Sequence, residues 1–125
     1  MTKIDELTDE ELDVLVAEKV MEWVCDDYIW YHDDKRFTGW YRMVHGFSCW
    51  QPSTNASCAS LVDKPEWEWE LIEHLPQKLL SVHIWLHGQD KSVRVAVPLD
   101  PDNKVPAHCR GRILCALLAC GVEEV

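Results

Sequence analysis

Residues 12–23, Leu-Asp-Val-Leu-Val-Ala-Glu-Lys-Val-Met-Glu-Trp, constrain the fold of this chain more than any other stretch. They predict a capped amphipathic helix. Thr8 is a good N-cap, and Glu11 stands three residues on, where a capping box needs it. Leu7 and Leu12 then occupy the two positions of a hydrophobic staple. Leu12, Leu15, Val16, Val20, Trp23 and Val24 recur at helical spacing and make one apolar stripe. Asp9, Glu10 and Glu11 crowd the first turn, where the helix dipole favours negative charge.

The rest of the chain alternates helix and strand signals. Asp26 to Asp34 reads as an aromatic loop rich in carboxylates, Thr38 to Val44 as a short strand, and Gly46 to Pro52 as a loop. Pro52-Ser53-Thr54-Asn55 predicts a helix start, with Ser53 or Thr54 as N-cap. That helix is expected to break near Asp63, restart with Pro65 in its first turn, and run to about Leu75. Leu79 to Leu86 and Ser92 to Leu99 are the clearest strands, joined by a turn at Gly88-Gln89-Asp90-Lys91. Pro106 to Cys120 is the last helix, stopped by Gly121. The order α-β-α-β-β-α predicts one small α+β domain over residues 1–125, a layered helix and sheet structure with a mostly antiparallel sheet and a C-terminal helix.

Charge narrows the function classes. Residues 1–34 hold 12 acidic and 2 basic side chains, a balance of −10, whereas residues 35–125 hold 10 of each. An acidic N-terminal segment argues against polymeric DNA or RNA as a ligand but leaves room for a local basic pocket that takes a small phosphate-bearing molecule. No apolar run approaches the length of a membrane span, and the acidic N-terminus does not read as a signal peptide, so a cytoplasmic setting is expected. In that setting the 6 cysteines are expected free and mostly buried.

Three blocks resemble the phage ABA sandwich domain family. The first is the helix Leu12 to Trp23. The second is Pro52-Ser53-Thr54-Asn55 with Trp69-Glu70-Leu71-Ile72-Glu73-His74-Leu75, similar to that family's Pro-x-Ser-Thr-Asp start and Trp-Glu-Val-Val-Glu-Lys helix. The third is Cys109-Arg110-Gly111-Arg112-Ile113-Leu114, similar to its Cys-Arg-Ala-Ala-Leu-Leu helix. An insertion lies between Ser53 and Trp69, Asn55 stands for the family's Asp, and Gly111-Arg112 stands for two alanines. The resemblance implies a phage or prophage protein, cytoplasmic in the infected or lysogenic bacterial host, with helices and sheet in layers. The family brings no catalytic residues with it. Size and make-up also resemble the Thoeris anti-defence sponges, phage proteins that hold cyclic ADP-ribose-type or cyclic nucleotide signals away from immune effectors.

Candidate site residues come from the strands and the last helix. Leu80, Val82, Ile84 and Leu86 share one face of the first strand; Ser81, His83, Trp85 and His87 share the other. On the second strand Val93, Val95, Val97 and Leu99 oppose Arg94 and Ala96. One face of the sheet is thus aliphatic, and the other shows Trp, His and Arg, with Trp40 and Arg42 as an extension. Such a face suits a nucleotide-sized ligand, because aromatic rings stack on bases and arginine grips phosphate. It equally suits a subunit interface or packing beneath a helix of the same chain. His108, Arg110 and Arg112 lie in the first turns of the last helix, whose N–H groups favour anions. The ligand-binding set is therefore Trp40, Arg42, His83, Trp85, Arg94, His108, Arg110 and Arg112.

Reaction chemistry finds little support. His83 and His87 on one strand are ~13 Å apart, too far to share a metal ion. The sequence has no phosphate-binding glycine loop, nucleophile elbow or HExxH. The 7 tryptophans exceed what one small core should need and point to a recognition surface. The leading expectation is a non-catalytic, homo-oligomeric phage protein with no cofactor, metal or membrane partner, which sequesters a small nucleotide-like immune signal. The alternatives are a protein-interaction module or acidic inhibitor of a host defence protein, and a signal-degrading hydrolase.

Overall fold

The structure is a computed structural model, which describes residues 2–26, 29–32, 35–36, 43–44, 47–48 and 50–125. After a 3-10 turn at Ile4–Glu6, the first helix, α1, spans Asp9–Lys19. Its capping box is complete. The Glu11 backbone N–H donates to Thr8 Oγ1 at 3.3 Å, and the Thr8 backbone N–H donates to Glu11 Oε1 at 3.1 Å. These bonds to Thr8, the backbone one first, hold the Glu11 carboxyl below its usual range. Leu7 and Leu12 are both buried, as the staple requires. The helix ends sooner than its apolar stripe: Val24 belongs to a strand, because Glu22 takes a left-handed φ of 58° that turns the chain out of the helix.

Among the described residues the next strands are β1 (Val24–Asp26), β2 (Ile29–His32), β3 (Lys35–Arg36), β4 (Met43–Val44) and β5 (Phe47–Ser48). β1, β2 and β3 form one antiparallel sheet, and β4 pairs with β5. The acid-rich segment expected as a loop therefore contributes strand residues, Asp26 to β1 and Ile29–His32 to β2. The β-favouring Ile29-Trp30-Tyr31 run outweighs the flanking carboxylates. Of the strand expected over Thr38 to Val44, residues 38–42 lie outside the described residues.

Helix α2 (Ala56–Ala59) is capped by Asn55, whose side chain accepts from the Cys58 N–H at 3.0 Å. Neither Ser53 nor Thr54 is the cap. The Ser53 N–H instead donates to Asp13 Oδ1 at 2.9 Å, which ties the loop to α1. Trp50 strengthens that tie, its indole N–H donating to the Asp13 carbonyl at 3.0 Å.

The helix expected from Pro65 to Leu75 is a strand, β6 (Trp67–His74). Its burial alternates, with Trp67, Trp69, Leu71 and Glu73 turned inward and Glu68, Glu70, Ile72 and His74 exposed. Period-two alternation decided the local structure here over the helical propensity of Glu and Leu. β7 (Leu79–Leu86) and β8 (Lys91–Pro98) occupy the expected segments. The sheet order is β6-β7-β8, antiparallel throughout.

Helix α3 (Val105–Ala119) packs across one face of this sheet, on Leu80, Val82, Ile84 and Val97. It comes close because residue 111 is glycine: a Cβ there would lie 2.9 Å from Val82 Cγ2 and 3.1 Å from Val97 Cγ2. Gly121, at φ +81°, terminates the helix. The Gly121 N–H donates to the Leu118 carbonyl and the Val122 N–H to the Leu117 carbonyl, both at 2.9 Å, the pair that defines a Schellman cap. α1 rests against α3, and both contribute to one core. The fold is α+β, with an antiparallel sheet and a C-terminal helix as the sequence predicts. No helix among the described residues is long and apolar enough to cross a membrane.

Candidate functional site

The eight residues selected from sequence do not converge on one place. Trp40 and Arg42 lie outside the described residues. The other six divide among three regions.

His83, Trp85 and Arg94 share the outer face of the sheet, opposite α3. Register sets Glu70, His83 and Arg94 in one cross-strand row and Glu68, Trp85 and Ser92 in the next. The His83 and Trp85 rings are stacked with centroids 3.8 Å apart. His83 Nδ1 is sealed from solvent with no hydrogen-bond partner among the described residues. The face is open: the β6 and β8 members of these rows are exposed and the β7 members half-buried. Glu68 and Glu70 make its β6 side acidic. A cleft of about 690 Å³ at the hairpin end also includes Asp90, so that Lys91 is outnumbered there by Glu68, Glu70 and Asp90. This electrostatic setting disfavours a phosphate group.

Arg110 faces the opposite way, toward the N-terminal segment. Its guanidinium donates to Asp9 Oδ1 at 3.1 Å and to the carbonyls of Asp5 and Leu7 at 2.9 and 3.1 Å. It therefore fastens the acidic entry of α1 to α3, and its hydrogen-bonding capacity is largely used within the chain.

His108 and Arg112 come together on a third surface, joined by a residue that the sequence pattern did not single out. Lys104, His108 and Arg112 follow one another at intervals of four, a turn apart along the start of α3. They line a cleft of about 290 Å³ with Ala56, Ala59, Ser60, Leu71, Val105 and Cys109. Among the described residues, no carboxylate lines it. By contrast, a cleft of about 450 Å³ beside α1 is walled by Glu10, Glu11, Asp13 and Glu18. The signal for Lys104 was the four-residue spacing itself, which continues the row N-terminally from His108.

Hydrogen bonds and ion pairs hold this row in place. Arg112 Nε donates to the Ala59 carbonyl at 2.8 Å, and its guanidinium carbon lies 4.1 Å from the Trp69 ring centre. The Trp69 indole N–H donates in turn to Asp63 Oδ1 at 2.7 Å. Burial lowers the Arg112 pKa, with Asp63 opposing, and guanidinium remains charged at any working pH. Lys104 Nζ and His108 Nε2 each hold one oxygen of Glu73, at 3.0 and 2.9 Å. These contacts, His108's first, hold the Glu73 carboxyl below its usual range. Lys104 itself is the N-cap and supplies no side-chain cap, and Pro106 has no N–H to satisfy. The opening turn of α3 thus presents its positive dipole end beside three basic side chains. The nearest sulfur, Cys109, has its pKa raised, chiefly by burial, which makes it a poor nucleophile.

The burial of five tryptophans is described. Trp23, Trp50 and Trp67 are core residues, while Trp69 and Trp85 are half-buried. Cys109, Cys115 and Cys120 are free thiols, the first two buried, and Cys58 is buried as well. Among the described residues, no group of His, Cys, Asp and Glu is arranged to hold a metal ion.

This fold is shared with a solved protein. A crystal structure of a phage protein from Bacillus cereus ATCC 14579 superposes with a TM-score of 0.56, at 16% identity, over 92% of this chain and 98% of that one. No family model matches the chain. No curated protein matches it either.

Proposed function

We propose that this chain is a non-catalytic phage protein that binds a small, phosphate-bearing molecule in the cleft between α2, β6 and α3. One observation carries the reading: Lys104, His108 and Arg112 form a basic row at the start of α3, along a cleft with an apolar floor and, among the described residues, no carboxylate in its wall. Helix start and basic row act together on an anion, and Leu71 and Ala59 offer apolar surface to the rest of the ligand. At about 290 Å³ the cleft is small, which suits a mononucleotide-sized group better than an extended dinucleotide. Glu73 stands outside the lining of the cleft but is held by Lys104 and His108, and a ligand phosphate would compete with it for both. Likeness in fold to a phage protein and the resemblance to the phage ABA sandwich family support the origin. In its most specific form the proposal is a sponge for cyclic nucleotide or cyclic ADP-ribose-type immune signals.

Isothermal titration against mononucleotides, cyclic dinucleotides and cyclic ADP-ribose isomers tests it. Binding is expected for at least one member. Lys104→Ala and His108→Ala should each weaken it about tenfold, the scale of one charge-assisted contact. Glu73→Gln should tighten it by removing the resident negative charge. Absence of heat across the panel overturns the proposal.

A further inference from the structure

We infer that the outer face of the β6-β7-β8 sheet is an interface between two copies of this chain, related by a two-fold axis running along β7. The first ground is what the face displays. Its rows, read across β6, β7 and β8, are Glu68-Trp85-Ser92, Glu70-His83-Arg94, Ile72-Ser81-Ala96 and His74-Leu79-Pro98. None of these twelve side chains is buried, and Ile72 and Leu79 are 40% and 38% exposed. A half-buried tryptophan and exposed aliphatics on one open sheet face are features of recognition surfaces.

Charge on this face is divided by strand. The carboxylates Glu68 and Glu70 belong to β6, and the guanidinium of Arg94 belongs to β8. Arg94 makes no ion pair among the described residues. A two-fold axis along the middle strand keeps each row level with itself and exchanges left for right. It therefore sets Glu70 of one copy against Arg94 of the other, twice, and Ile72 against Ala96. His83 and Trp85, on the axis, meet their own equivalents. The face is self-complementary under this operation, as an isologous contact must be.

Packed sheets lie ~10 Å apart with strands ~4.8 Å from their neighbours, and aligned sheets cross at about 30°, which tilts the two-fold axis ~15° from β7. That rotation displaces a residue one strand from the axis by only ~2.4 Å, within the reach of Glu and Arg side chains. The area sets the strength. Three eight-residue strands span ~14 by 27 Å, or ~400 Å² per copy, about half the usual ~800 Å² per partner. The dimer is accordingly reversible and depends on concentration and salt.

Sedimentation equilibrium of the full chain at ~10–500 µM in low salt reads it directly, within the affinity range of weak interfaces. A monomer–dimer equilibrium is expected. Glu70→Arg and Arg94→Glu each oppose like charges and should weaken it at least about tenfold; the double variant E70R/R94E should restore it. Both side chains are exposed, and circular dichroism verifies that each variant is folded. Unsubstituted protein gives a second readout: concentration-dependent amide shifts should concentrate on β6, β7 and β8. A monomer at every concentration overturns the inference. So does a dimer that neither single reversal weakens, that the double variant fails to restore, or whose shifts fall elsewhere.

Discussion

The two faces of the β6-β7-β8 sheet share a backbone and differ in almost everything else. Inward, Leu80, Val82 and Ile84 are fully buried beneath α3. Outward, the alternate residues Ser81, His83 and Trp85 are half-buried and flanked by exposed Glu70, Arg94 and Ala96. The contrast separates two tasks within one element: the inner residues supply stability, and the outer ones are free to serve recognition. It also explains why the arginines of α3 differ. Arg110 and Arg112 are engaged in joining elements, whereas Arg94, on the open side, has no intramolecular ion pair among the described residues.

The most severe test of the contrast is Ile84→Ala. Loss of a fully buried side chain should destabilise the fold by about 2–5 kcal/mol, measured by urea denaturation. Asp13 probes the buried side differently. Burial, opposed by hydrogen bonding from Ser53, pushes its pKa from 3.8 up to about 6. A carboxyl whose folded pKa is raised favours folding when protonated, so its contribution is fullest below pH 4 and declines as pH rises through 6. Stability relative to Asp13→Asn should therefore fall over that interval by roughly 2–3 kcal/mol, since each tenfold gain in proton affinity on folding is worth about 1.4 kcal/mol. A flat difference between the two proteins would show that the buried side tolerates this charge.

Gly111→Ala sharpens the inner contact. Helix propensity alone favours alanine by about 1 kcal/mol. The new methyl, however, would press on Val82 and Val97, and overpacking of this kind costs about 1–3 kcal/mol. A net loss of ~1 kcal/mol is expected, and a gain would mean that α3 has room to lift from the sheet. Thr8→Ala removes the α1 cap and should lower stability by about 1 kcal/mol. The smallest effect belongs to the outer face: Arg94→Ala at low protein concentration should alter stability by less than about 0.5 kcal/mol. A larger loss there would break the division between the two faces.

Part of this architecture is legible in the residues alone. Thr8, Glu11, Leu7 and Leu12 are neighbours in the chain, and the capping box and staple they form are local. The β7 and β8 segments are legible because aliphatic residues alternate strictly against α3. β6 reads as helix although its own alternation, Trp67, Trp69 and Leu71 against Glu68, Glu70 and Ile72, is present. Its Glu and Leu content and its likeness to a helical block favour that reading, and only pairing with β7 supplies the hydrogen-bond partners of a strand. The site is legible in part. His108 and Arg112 stand out by type and position; the four-residue spacing leads back to Lys104, but that spacing gains its meaning only once folding brings Leu71 and Ala59 to the same cleft.

What the chain determines by itself is short-ranged: the helix cap at Thr8, the stop at Gly121, the period-two strands, and the crowding of negative charge into the first 34 residues. These depend on bonds and contacts within a few residues, which covalent order already brings together. Tertiary structure decided which cations find a partner among the described residues. Arg94, Arg110 and Arg112 are equivalent as letters, yet Arg110 meets Asp9 across 101 residues, Arg112 meets Trp69, and Arg94 remains on an open face. The electrostatic role of a charged side chain is set by what folding places beside it, and no local pattern encodes that.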